Sequence, residues 1–191
     1  MVLKSDIEND AKKIMDSLKK DYRIPSSGEI ILPVIKVMAI VYVMHVIAIL
    51  GNEFVYKKDI WLPGMIMWLI LSCGILTVVA LMMTYGNLSI LMCIPKDVRD
   101  NSTLLNIGKQ KLKAYGCVIV AINIVVAIVL ISERSDFIIG YGFSWFACML
   151  IGGITFSMSM SRYMTPAVVA TLDKIRQVVS SEEIESSKPN S

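Results

Sequence analysis

The feature that most constrains the fold is the separation of charged from apolar sequence. No Asp, Glu, Lys or Arg occurs between Ile60 and Pro95, a stretch longer than the ~20 apolar residues that cross a ~30 Å hydrocarbon core. Charged residues make up only 18% of the chain, against about a quarter in soluble domains, and they gather between the apolar stretches. This pattern is typical of membrane spans joined by polar loops.

The apolar stretches predict an all-α integral membrane protein with four transmembrane helices. We place the spans at about residues 30–50, 60–83, 114–131 and 137–160, with a cytoplasmic linker over 84–113 that is polar from Lys96 onward. Gly86 and Asn87 are a potential break, so the sequence leaves open whether 60–94 is one long helix or two pieces. About five polar residues separate the last two spans, which should therefore form an antiparallel hairpin.

Both ends of the chain carry apolar residues at helical spacing. The pattern predicts an amphipathic helix within residues 1–29 and a second within 161–179, where Thr165 and Pro166 are typical of a helix start. Each stripe could pack within the protein or its oligomer, on a partner or on the membrane surface, and we favour the first. The Ser- and Glu-rich tail, 180–191, is predicted to be disordered. The two stripes consist of Leu3, Ile7, Ala11, Ile14, Leu18 and Tyr22, and of Val169, Leu172, Ile175 and Val179.

The distribution of Lys and Arg predicts that both ends lie in the cytoplasm. The N-terminal segment holds six of these residues, the linker five and the C-terminal segment four. The other two loops hold three: Lys57, Lys58 and Arg134. Because positively charged loops stay on the cytoplasmic side, the N-terminal segment, linker and C-terminal segment should face the cytoplasm. Little of the chain would then face outward, so a partner should be met within the membrane or from the cytoplasmic side.

No pattern typical of catalysis occurs in the sequence. There is no HExxH, no Gly-rich phosphate loop and no G-x-S-x-G, so we predict neither an enzyme nor a cofactor or metal site. The net charge of +3 is too small to favour direct nucleic-acid binding. The four cysteines form no CxxC pair, and we interpret them as packing residues.

Two ionisable residues of the first span are candidate polar sites within the membrane. His45 lies in the middle of the span, and Lys36 lies near its start, where its side chain can extend back to the headgroups. An intramembrane histidine can be a proton relay or a ligand. Since no predicted span contains an acidic partner, we favour a helix–helix hydrogen bond for His45.

Small residues recur every four positions in the fourth span. Because small side chains let helix backbones approach closely in lipid, this face predicts a helix–helix contact. The contact could lie within one chain or between two copies in a homo-oligomer. The residues are Gly140, Ser144, Cys148 and Gly152.

Three short strings flank the first two spans. They are Tyr22-Arg23-Ile24-Pro25-Ser26, Gly86-Asn87-Leu88-Ser89-Ile90 and Ile94-Pro95-Lys96. With the size and the span pattern over about residues 20–160, the chain resembles the TraS entry-exclusion proteins of F-like conjugative plasmids. The resemblance implies an inner-membrane protein of a plasmid-bearing recipient cell, which blocks redundant DNA entry by recognising the donor mating-pair protein TraG. This would be a binding function, carried out by a protein that is embedded in membrane lipid.

Two other functions remain open at this stage. An immunity protein against a pore-forming bacteriocin would also be small, multi-span and without catalytic residues, and it would meet its toxin within the bilayer. A small-molecule transporter or channel subunit would need a polar path. For such a path the spans offer His45, Lys36, Ser72, Thr77, Asn123 and Thr155.

Overall fold

The computed structural model describes residues 4–20, 25–56, 62–133, 135–166, 168–174 and 177, which contain helices and no strand. Part of the predicted C-terminal helix and the predicted disordered tail lie outside these ranges, although residues 168–174 are helical. The elements in chain order are α1 (Lys4–Lys20), α2 (Ser27–Tyr56), α3 (Leu62–Cys93), α4 (Lys96–Asn101), α5 (Thr103–Glu133), a 3₁₀ helix (Ser135–Gly140) and α6 (Tyr141–Ser161).

Four of the helices are long and apolar enough to cross a membrane. Their apolar segments are Ser27–Val55, Gly64–Cys93, Thr103–Glu133 and Ile138–Ser161. Many of their large apolar side chains are exposed, as for Val37, Val125 and Ile154, which suits a surface that faces lipid rather than water. The prediction of an all-α protein with four such helices is confirmed. The side of the membrane on which each end lies stays a prediction.

The long helices extend beyond the predicted spans. Helix α3 continues through Gly86 and Asn87 as a single helix to Cys93, and α5 begins at Thr103, so most of the predicted linker over 84–113 is helical. Hydropathy marks only the part of a helix that needs an apolar solvent. Good helix formers in the linker, such as Lys109 and Gln110, let the helix continue without that apolar character.

Helix α2 begins at a reciprocal capping box. The Ser26 amide donates to Glu29 Oε2 at 2.9 Å, and the Glu29 amide donates to Ser26 Oγ at 3.4 Å. The first contact gives a partner to an N–H at the helix start, and the Glu29 amide also donates to the Ser26 carbonyl at 3.0 Å. The start of α2 is therefore fixed by four residues of local sequence.

The chain folds into two compact units, which we call unit 1 and unit 2. Unit 1 contains the described residues within 1–30, 86–112 and 157–191, and unit 2 contains those within 31–85 and 113–156. Unit 1 thus joins α1, the short helix α4 and the residues that follow α6. Unit 2 holds the middle portions of the four long helices.

The core of unit 1 consists of two small apolar clusters on α1. The contacting residues of α1 recur at spacings of three and four, which places them on one side of the helix. Ile14 and Leu18 pack with Cys93 and Ile94. One or two turns earlier, Ile7 and Ala11 pack with Leu104 and the fully buried Val168.

Candidate functional site

The most polar site inside unit 2 is built around His45 of α2, whose side chain is only 4% exposed. Its Nδ1 lies 2.8 Å from the carbonyl oxygen of Val41 on the preceding turn. Because a carbonyl can only accept, Nδ1 carries the proton of the neutral ring. The other ring nitrogen, Nε2, is therefore a hydrogen-bond acceptor, and the contact with Val41 of the same helix does not use it.

Helix α3 supplies a donor to that acceptor. The hydroxyl of Ser72 lies 3.4 Å from His45 Nε2, a long distance for an O–H···N hydrogen bond. His45 therefore joins α2 to α3 by a weak polar contact, the kind of helix–helix hydrogen bond that the sequence favoured.

Two aromatic residues of α6 enclose His45 on another side. Tyr141 and Trp145 are one turn apart, and each is 2% exposed. The His45 ring centroid lies 4.9 Å from that of Tyr141 and 6.3 Å from that of Trp145. Tyr141 OH and Trp145 Nε1 are buried and have no hydrogen-bond partner among the described residues. The sequence analysis did not single out this pair, although two aromatic residues with polar atoms, spaced four apart at the start of a span, were the available signal.

The contact between α3 and α6 depends on the absence of a side chain at Gly142. A Cβ added there would overlap the Ser72 hydroxyl and would lie 2.9 Å from Ser72 Cβ and 3.7 Å from His45 Nε2. Real Cβ atoms essentially never lie within 3.0 Å of such neighbours, so the two contacts with Ser72 rule out a side chain at this position without a shift. Gly142 therefore lets α6 come within reach of the polar groups of α2 and α3.

A cavity of about 20 Å³ lies beside these groups. His45, Ser72, Tyr141 and Gly142 form its polar side, and Met65 lies among its apolar walls. Among the residues that the structure describes, no acidic residue and no cysteine lines it. The described lining offers hydrogen-bonding groups without charge.

Two other polar contacts of unit 2 also join helices in pairs. Thr77 Oγ1 donates to the Cys73 carbonyl at 2.6 Å, so the Tyr42 hydroxyl, 2.5 Å away, must be the donor to Thr77. In the same way, Ser144 Oγ donates to Asn123 Oδ1 at 2.9 Å. These bonds connect α2 with α3 and α5 with α6, and the polar groups are thereby used in packing.

The small-residue face of α6 lies in part against α5. Ser144 makes the bond to Asn123, and a Cβ at Gly152 would lie 2.7 Å from Ile119 Cδ1. Cys148 is half-buried, and no neighbouring atom lies within 4 Å of a Cβ at Gly140. The prediction of a contact between two copies through this face stays a prediction.

Changing Gly152 to alanine should destabilise unit 2 in a way that a second change reverses. The new methyl would displace Ile119 Cδ1, the flexible end of a side chain, at a cost of about 1 kcal/mol. Ile119→Val removes that carbon, so the double variant should be more stable than the sum of the two single effects by about 1 kcal/mol. Equilibrium unfolding in bicelles measures these free energies. The control is Gly74→Ala, at an open position of α3, whose effect on the free energy of unfolding should simply add to that of Ile119→Val. If the effects of Gly152→Ala and Ile119→Val were also strictly additive, the contact between the two residues would be contradicted.

The remaining candidate residues form no cluster with ligand chemistry. Lys36 is exposed on α2. None of the four cysteines forms a disulfide. Among the described residues, no group of three or more His, Cys, Asp and Glu side chains could hold a metal ion.

In unit 1, Asp10 makes a polar contact between residues more than ninety apart in sequence. Its Oδ2 accepts from Ser102 Oγ at 2.8 Å and from the Leu104 amide at 2.9 Å. Ser102 is fully buried, and its Oγ in turn accepts from the Leu105 amide at 3.1 Å. A carboxylate of α1 therefore caps the N-terminus of α5, where both the free N–H groups and the helix dipole favour negative charge.

A second contact of unit 1 joins α5 to the end of α6. Lys111 Nζ donates to the Ser159 carbonyl at 3.0 Å and to the Ser159 hydroxyl. The same ammonium lies 4.9 Å from the centroid of the Tyr163 ring, a cation–π distance. With Asp10, this contact ties the three segments of unit 1 together by polar as well as apolar interactions.

These features define a multi-pass helical membrane protein in which several of the described polar groups make contacts between helices. Comparisons of the chain with models of known protein families, with curated proteins and with solved structures found no match. The resemblance to entry-exclusion proteins therefore rests on the short strings and the span pattern alone.

Proposed function

We propose that this chain is a membrane-anchored recognition protein of the bacterial inner membrane that acts in entry exclusion. In this role it blocks redundant conjugative DNA transfer into a plasmid-bearing recipient by binding a TraG-like mating-pair protein of the donor. The observation that carries the proposal is unit 1, a folded unit that three separate segments of the chain build together. A protein that only had to fill the bilayer would not need such a unit.

The composition of unit 1 supports a role in protein recognition. The exposed positions of α1 include Lys12, Lys13 and Asp16, while its apolar positions are buried in the two clusters. Mixed charge over a rigid helix gives a partner a defined pattern to read, and charge complementarity contributes more to specificity than to affinity. The binding surface would therefore be the exposed side of α1 together with α4.

The distribution of Lys and Arg supports a cytoplasmic position for unit 1. Its segments carry most of the basic residues of the chain, and basic segments stay on the cytoplasmic side. In this arrangement unit 1 meets a partner that is delivered into the recipient, while the four long helices anchor it in lipid. Formation of a homo-oligomer would be compatible with this arrangement and is not required by it.

A mating assay tests the proposal directly. We expect that the chain, expressed alone in plasmid-free recipient bacteria, lowers the number of transconjugants from donors of one F-like plasmid type and not from others. The type dependence is the important control, because general damage to the recipient membrane would lower transfer from every donor. Exchange of residues 4–20 and 96–101 with the corresponding segments of another exclusion type should then exchange the specificity.

No fall with any donor, despite confirmed insertion in the membrane, would contradict entry exclusion. Survival of the same cells under a pore-forming bacteriocin would then identify the alternative of an immunity protein. In that case specificity should follow exchanges of the long helices rather than exchanges of α1 and α4.

A further inference from the structure

We propose that the cavity beside His45 binds one water molecule, which bridges His45, Ser72 and Tyr141 inside unit 2. This inference concerns the membrane portion of the chain and does not depend on entry exclusion. It follows from the size of the cavity, from the polar atoms around it and from the apolar residues that line the rest of it.

The size of the cavity fits a single water molecule. Its volume of about 20 Å³ exceeds the roughly 10–15 Å³ that one water molecule requires by the same measure. Ile49, Leu69 and Ile138 are among its apolar walls. A larger organic ligand would not fit, and a metal ion would find only one nitrogen ligand.

The polar atoms at the cavity complement the hydrogen bonds of water. His45 Nε2 is an acceptor because Nδ1 donates to the Val41 carbonyl, and its contact with Ser72 is long at 3.4 Å. Tyr141 lines the cavity, and its buried hydroxyl has no partner among the described residues. A water molecule that donates to Nε2 and accepts from Tyr141 and Ser72 would have three partners, the usual number for buried water. In this arrangement the Ser72 hydroxyl donates to the water and no longer directly to Nε2.

The position of the site explains why these bonds matter. In the hydrocarbon region no bulk water can satisfy a polar group, so each buried donor or acceptor needs an internal partner. His45, Ser72 and Tyr141 come from α2, α3 and α6 respectively. One bound water would therefore satisfy groups on three helices at once and would hold the Nδ1–H tautomer of His45.

The single histidine of the chain makes the test specific. Protein labelled with ¹⁵N-histidine and reconstituted in lipid bilayers gives one imidazole in solid-state NMR spectra. We expect an unprotonated Nε2 and rapid magnetisation transfer from water protons to the ring. A water-soluble gadolinium chelate should leave the ring signal unquenched, because His45 is only 4% exposed and lies within an apolar helix.

The matched variants are Gly142→Ala and Gly140→Ala. The first places a methyl between Ser72 and His45, whereas the second adds one where no atom lies within 4 Å. We expect the water transfer to His45 to be lost in Gly142→Ala and retained in Gly140→Ala. Tyr141→Phe removes a partner of the water and keeps the ring, so it should weaken the transfer even if Gly142→Ala fails to fold.

Three results would overturn the proposal. They are the absence of water transfer to His45 in the unmodified protein, full transfer in a folded Gly142→Ala variant, and quenching of the ring signal by the chelate. The last would show that bulk water, rather than one bound molecule, reaches the ring.

Discussion

Replacing Val168 with aspartate should open unit 1, whereas the same replacement at Val169 should leave it folded. Val168 is fully buried against Ile7, Ala11 and Leu104, while Val169 is 43% exposed. The change at Val168 removes a buried apolar side chain and places a carboxylate in a cluster that contains no described cation. The expected loss is about 4 kcal/mol or more, the range reached when an unpaired charge is buried.

Hydrogen exchange measured by mass spectrometry in lipid nanodiscs checks this expectation. Peptides from α1 should exchange much faster in Val168→Asp than in the unmodified protein or in Val169→Asp. Peptides from the middle of α3 and α5 serve as an internal reference, because their protection should not change. Equal protection of α1 in the two aspartate variants would show that the contact with Val168 does not hold α1.

Replacing Asp10 with alanine should release α1 from the start of α5. The change leaves the buried Ser102 hydroxyl and the Leu104 amide without their acceptor. It also removes a negative charge from a helix N-terminus, where such a charge is favourable. Hydrogen bonds to a charged group contribute about 1.5–3 kcal/mol each, so we expect a loss of about 2–3 kcal/mol because the two bonds share one carboxylate.

Cys93 provides the measurement for the Asp10 variant. Its thiol is 2% exposed in the cluster with Ile14 and Leu18 of α1. In a chain where the other three cysteines are replaced by alanine, Asp10→Ala should raise the rate at which a water-soluble maleimide labels Cys93. Asp16→Ala, which removes an exposed carboxylate from the same helix, should leave the rate unchanged. An equal rate in both variants would mean that the cap does not hold α1 in place.

The four long helices could be predicted because their signal is local. A charge-free stretch such as that between Ile60 and Pro95 allows few structures other than a span. The ends of those helices could not be predicted in the same way. Thr103 begins α5 because Ser102 and Asp10 cap it, and the position of Asp10 in space depends on the packing of α1 more than ninety residues away in sequence.

The site around His45 could be predicted only in part. A lone histidine in a span indicates a polar contact, and the structure gives it Ser72, Tyr141 and Trp145 as neighbours. Apolar residues occur on all faces of α2 and α3. No stripe in the sequence therefore marks which face of either helix packs against a neighbouring helix. The role of Gly142 was missed for the same reason, because its value depends on the position of Ser72 on another helix.

The core of unit 1 also sets an order of events during synthesis. Ile7 and Ala11 pack against Val168, so this cluster cannot close until α6 and the residues after it have left the ribosome. At about 5–20 residues per second, the roughly 160 intervening residues take about 10–30 s to make. Throughout that time, the apolar residues of α1 lack part of the cover that they have in the finished protein. Translation speed and insertion of the last helix should therefore decide how long the nascent chain is open to proteases and chaperones.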